Sequence, residues 1–141
     1  MDQLILAEKL ESLRRCIRRV DEKRPSRIER LTEDADIQDI LVLNLTRAVQ
    51  LCVDIGSHII SESDEATPQT MGDVFEVLQK LNMITDQTCQ QMKKAVGFRN
   101  VAIHNYATIN WEIVYAISET SLVDFRAFAK EISESKTLGS E

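Results

Sequence analysis

The segment Phe98-Arg99-Asn100-Val101-Ala102-Ile103-His104-Asn105-Tyr106 places a guanidinium, an imidazole and a phenol within eight residues, at the end of an otherwise apolar helical pattern. Arginine brings a fixed positive charge and forked donors. Histidine moves protons near neutral pH. Together they are a minimal kit for cleaving a phosphodiester without a metal, since such cleavage needs proton transfer and a cation for the developing charge. His104 is the candidate for proton transfer and Arg99 for the phosphate charge. Asn100, four residues before His104, can orient its ring. The Tyr106 hydroxyl can order a phosphate or be modified itself. Each residue also has a plainer alternative: an Arg99 salt bridge, for instance to Asp54; a structural histidine at a helix end; a half-buried aromatic with one satisfied hydroxyl. Asp54 and His58 stand i,i+4 and form a second acid–imidazole pair: either a second catalytic set or, the preferred reading, a buried polar contact that supports Arg99 or the bundle register.

The elements that must position these groups are all helical. Leu6, Leu10, Leu13, Ile17 and Val20 recur at four-three spacing and predict a helix from about Gln3 to Glu22. Pro25 breaks it, and one turn of helix is expected over Arg27–Leu31. A second long helix is predicted from Asp36 to Ser61, with a broad apolar face from Ile37 to Ile59. A Ser-, Asp-, Thr- and Pro-rich link follows, then a shorter helix over Gly72–Leu81. Thr85 or Asp86 can cap a helix that reaches His104, with Asn105 as its terminator. A last helix is predicted from Asn110 or Trp111 to Ile132, and the polar residues 133–141 read as a frayed tail. Residues 1–132 therefore form one domain: an all-α, antiparallel up-and-down bundle of four main helices plus a short extra helix. In the helix that carries the motif, the stripe of Cys89, Met92, Ala95 and Val96 runs into Arg99. A charge in the middle of a core stripe must be paired, or must line a cleft or an interface. His104 lies roughly 140° around from Arg99 on an ideal helix, so the two share a groove only if the helix ends there.

Composition narrows the function classes. The chain has 141 residues, 4 Gly, 2 Pro and a net charge of −6, which argues against wholesale coating by nucleic acid. Two basic zones stand out all the same. Arg14, Arg15, Arg18, Arg19, Lys23, Arg24 and Arg27 face only Asp21 and Glu22. From Gln87 to Trp111 there is no acid, while Lys93, Lys94 and Arg99 are present. They hint at an anionic partner, with a solvated helix face as the alternative. Cys16, Cys52 and Cys89 are unpaired by spacing and fit a reducing compartment. No CxxC, HExxH or Cys/His cluster offers a metal site, and no cofactor motif occurs. No signal peptide opens the chain and no apolar run approaches the roughly 18 residues of a membrane span. The expectation is a cytoplasmic protein without a membrane partner.

The pattern Arg-x4-His-x-Tyr, filled by Arg99, His104 and Tyr106, resembles the HEPN ribonucleases, and more narrowly the HepT toxins of HepT–MntA toxin–antitoxin modules. Leu51-Cys52-Val53-Asp54-Ile55-Gly56-Ser57-His58-Ile59-Ile60 is similar to the family's mid-chain helix. Phe75-Glu76-Val77-Leu78, Gly97-Phe98-Arg99-Asn100-Val101, Tyr115 and Asp124-Phe125-Arg126-Ala127-Phe128 follow in the family's order, so the likeness spans about residues 3–130. The resemblance implies a homodimer in which two copies of the motif meet at a cleft, doubling the single Arg99 and His104. It implies cleavage of RNA, tRNA being one reported kind of target. It also implies neutralisation by an MntA-like nucleotidyltransferase that transfers AMP onto the motif tyrosine, here Tyr106. The competing reading is a non-catalytic HEPN-like module that binds nucleotides or partners a nucleotidyltransferase, with Arg99 and His104 merely gripping a phosphate.

Overall fold

The four-three stripe becomes the buried side of helix α1, Gln3–Lys23, with Leu6, Leu10, Leu13, Ile17 and Val20 all in the core. The computed structural model describes the backbone of residues 3–139 and side chains of residues 3–135. A short helix α2, Ile28–Glu33, stands where the single turn was expected, so two short helices accompany the main four rather than one. Asp34 then caps α3, Ala35–Ser61. Its carboxylate accepts from the Asp36 and Ile37 amides at 2.9 and 3.2 Å, satisfying donors that a helix start leaves open. Thr70 caps α4, Met71–Lys80, and Thr85 caps α5, Asp86–His104, each through its hydroxyl. A 3-10 turn, Tyr106–Thr108, leads to α6, Trp111–Gly139.

α6 corrects one boundary. The apolar pattern ends at Ile132, but no breaker stands before Gly139 and the helix simply continues. Ser135 donates to the Met83 carbonyl at 3.0 Å, which holds the start of the polar segment on the α4–α5 link. The rest of that segment lies outside the described side chains.

α3 is the central helix and packs on α1, α4, α5 and α6. Contrary to the sequence reading, it is long and apolar enough to cross a membrane by length and composition alone; 56% of that apolar window is buried inside the bundle, as befits a helix surrounded by others. Gly56 sets its approach to α4. A Cβ there would lie 2.5 Å from Val74 Cγ1 and 2.9 Å from Leu78 Cδ1. Phe75 of α4 meets Phe128 of α6 edge to face at 5.8 Å. α5 and α6 run antiparallel: Thr88 donates to Glu131 at 2.6 Å near one end, while α5 finishes beside the start of α6. All three cysteines are free and buried, and burial pushes the Cys52 thiol well up.

Candidate active site

α5 stops at His104 because Asn105 leaves the helical region (φ −151°, ψ 57°), while its N–H still reaches the Val101 carbonyl at 2.9 Å. The chain then folds back tightly. Thr108 and Ile109 donate to the Asn105 and Tyr106 carbonyls at 3.0 and 3.1 Å. His104 is thus the last helical residue and is exposed.

Arg99 sits one turn and a half earlier and is half-buried. Its Nε is buried without a hydrogen-bond partner. Its Nη1 donates to Asn100 Oδ1 at 3.3 Å. No carboxylate lies within ion-pair distance of it among the described residues, so the salt bridge to Asp54 does not form. Asp54 lies further along α3 than Leu45 and Val49, which line a cavity with Ala95 and Phe98 of α5, and accepts instead from Gln50 Nε2 at 2.9 Å. The Asp54–His58 contact expected from their spacing is likewise unmade. Gln50, one turn earlier, takes the carboxylate, and His58 Nε2 is buried without a partner. Asn100 bonds to Arg99 rather than to His104, its neighbour in sequence having the closer donor.

Tyr106 is 42% exposed. Its hydroxyl donates to Asp39 Oδ1 at 2.6 Å, and its ring stands edge-on to Trp111 at 6.0 Å. Burial first, and the Asp39 carboxylate second, push the phenol up to about 12. Asp39 is the site residue that sequence reasoning missed. It is 67 positions away, an ordinary acid on the exposed side of α3, and only the return of α5 along α3 brings it to the tyrosine. Val101 and Ile103 beside the motif, Leu43 one turn beyond Asp39 and Ile113 at the start of α6 are each about half exposed, at 49%, 51%, 50% and 53%.

The basic zones divide. Arg24 is structural: its Nε donates to Ser118 Oγ at 2.7 Å, Nη2 to the Tyr115 carbonyl at 3.1 Å, and its plane lies 3.9 Å over the Tyr115 ring. Arg27 pairs with Glu29, and Lys93 with Glu76 at 2.6 Å. Arg14 and Arg18 share Glu11 at 3.8 and 3.7 Å and, with Arg126 and Lys130, rim a groove of about 630 Å³ between α1 and α6.

An all-helical bundle that ends its fifth helix in Arg-x4-His-x-Tyr, beside an exposed apolar surface, is a protein of the HEPN class. The match is narrower than that. The family model for HepT-like ribonucleases matches residues 9–132, and the chain belongs to that family. It is 34% identical over 124 residues to the mRNA nuclease HepT of Shewanella oneidensis, covering 88% of this chain and 92% of that protein. It is 25% identical over 84 residues to the tRNA nuclease HepT of Aphanizomenon flos-aquae, covering 60% of this chain and 57% of that protein. The solved structure of the tri-AMPylated Shewanella oneidensis HEPN toxin in complex with MNT antitoxin superposes with a TM-score of 0.87 at 33% identity, over 95% of this chain and 99% of that one. Two relatives named as nucleases favour the enzyme over the non-catalytic module.

Proposed function

We propose that this protein is the toxin of a toxin–antitoxin module: a metal-independent endoribonuclease of the cytoplasm that works as a homodimer and is silenced by AMP transfer onto Tyr106 from an MNT-type nucleotidyltransferase. The observation that carries the reading is Arg99, a half-buried guanidinium with no carboxylate partner among the described residues, standing on the same helix end as an exposed histidine. A cation left uncompensated in a partly desolvated place is costly unless an anion arrives to meet it. An RNA phosphate is such an anion. The exposed Leu43, Val101, Ile103 and Ile113 support a second copy packing at this end. That copy would supply a second Arg99 and His104 to one cleft.

In this mechanism the ribose 2′-hydroxyl attacks the adjacent phosphorus and the 5′-oxygen leaves. One His104 takes the hydroxyl proton and its counterpart returns one to the leaving oxygen, while Arg99 stabilises the charge on the non-bridging oxygens. Asn100 holds Arg99 and Tyr106 supports the phosphate. AMP on Tyr106 adds an anion and a nucleoside to the place meant for RNA, and blocks by charge and bulk together. The relatives differ in their RNA, one being an mRNA nuclease and the other a tRNA nuclease, so both classes belong in the assay.

Purified protein incubated with total RNA in excess EDTA should cut it, and His104→Ala should lose at least about a hundredfold of the rate, roughly 3 kcal/mol of transition-state stabilisation. RNA bound but left intact by the wild type would favour the binding module, and a fully active His104→Ala protein would remove the histidine from the mechanism.

A further inference from the structure

We propose that Asp39 is the proton acceptor for nucleotidylation of Tyr106, so that the toxin itself carries part of the chemistry that silences it. The inference rests on the reading that Tyr106 is the modified residue. In the step envisaged, the Tyr106 oxygen attacks the α-phosphorus of a nucleoside triphosphate. A new oxygen–phosphorus bond forms and the bond from the α-phosphorus to the oxygen bridging to the β-phosphorus breaks. Pyrophosphate leaves with that electron pair. The phenolic proton passes to Asp39 Oδ1 and from there to water.

Three observations support it. The 2.6 Å contact between the Tyr106 hydroxyl and Asp39 Oδ1 is a short charge-assisted hydrogen bond, with the proton already directed at a carboxylate. Donating in that direction leaves the oxygen lone pairs free, on a side chain that is 42% exposed, and Asp39 itself is exposed and can pass the proton to solvent. The second tyrosine provides the contrast: the Tyr115 hydroxyl donates to the Pro25 carbonyl at 3.1 Å and is part-buried, so it has neither a base nor an open approach. Only one of the two phenols is prepared as a nucleophile. The raised affinity of Tyr106 for its proton fits the same picture. A free phenolate is out of reach at neutral pH, so the proton must leave during the transfer, to a base in contact. After transfer the oxygen has no proton to give. A carboxylate then faces a phosphodiester anion where a hydrogen bond stood, and the repulsion frees the modified side chain from α3.

The test uses the full chain, an MNT-type nucleotidyltransferase and ATP, following AMP addition by intact mass and peptide mapping. Wild type, Asp39→Asn, Asp39→Ala and Asp39→Glu are compared, with thermal melts to confirm that each folds. Asn keeps the shape and the accepting oxygen but is no base. Asn and Ala should both slow transfer by about a hundredfold or more, and Glu should recover much of the rate. Transfer to Asp39→Asn at the wild-type rate overturns the proposal: if Ala alone is slow, Asp39 only orients the phenol, and if all variants are fast the partner brings the base. A wild type that takes AMP elsewhere, or not at all, refutes instead the reading of Tyr106 as the target.

Discussion

Arg99 is the residue of α5 that least fits its place in the helix. It fills a position that the apolar stripe of α5 would give to a hydrophobe, and its Nε is buried without a partner. Arg99→Met should therefore abolish RNA cleavage and leave the protein as stable or more stable, by up to about 1 kcal/mol, as read in chemical denaturation. Arg99→Lys keeps the charge but loses the fork, and should also be strongly impaired. Tyr106 gives a pH signature. An unfolded chain releases phenolic protons near 10, whereas the folded Tyr106 holds its proton to about 12. Between those values the unfolded state binds fewer protons, so the contribution of Tyr106 to stability is complete below about pH 10 and is lost as pH rises through 12. Asp39→Asn should bring the Tyr106 titration down, measured by phenolate absorbance.

At the scale of elements, the site depends on how closely α3, α4 and α5 approach one another. Gly56 lets α3 and α4 pack in close contact. A methyl group there meets Val74 and Leu78, one of them a stiff β-branched side chain. Gly56→Ala should cost about 1–3 kcal/mol by overpacking despite the better helix propensity of alanine, measurable as a lower thermal midpoint. Arg24 straps the end of α1 to α6 through hydrogen bonds to Ser118 and the Tyr115 carbonyl, an ion pair with Glu119 at 3.4 Å and a ring contact. Arg24→Ala should destabilise by about 1–3 kcal/mol while leaving the motif residues in place, whereas Arg14→Ala, paired only at the surface, should cost about 1 kcal/mol or less.

For the whole molecule, the apolar surface around the motif is the feature a lone bundle does not explain. Leu43, Val101, Ile103 and Ile113 lie within reach of Tyr106 in the chain or across the fold, and each leaves about half of itself in water. If a second copy covers them, Ile103→Asp should give a folded monomer in sedimentation and should lose RNA cleavage, though no catalytic group has been touched. A folded, active monomer would count against two copies sharing a cleft.

The local features were legible in the residues themselves. Helix α1 follows from a stripe that can only be helical, the cap at Thr85 from a side chain that accepts an amide proton, and the Arg-x4-His-x-Tyr segment from spacing within one element. Such properties depend on neighbours a few positions apart, and those the sequence states directly. What it could not state was which polar groups meet across elements. Asp54 and His58 had ideal spacing but were claimed by Gln50 and by burial; Arg24 belonged to a basic zone that hinted at an anionic partner or a solvated face and is a strap; Asp39 looked anonymous and holds the Tyr106 hydroxyl. Those pairings depend on the register in which α3, α5 and α6 lie against one another. That register is set by packing across the entire core, not by any segment alone.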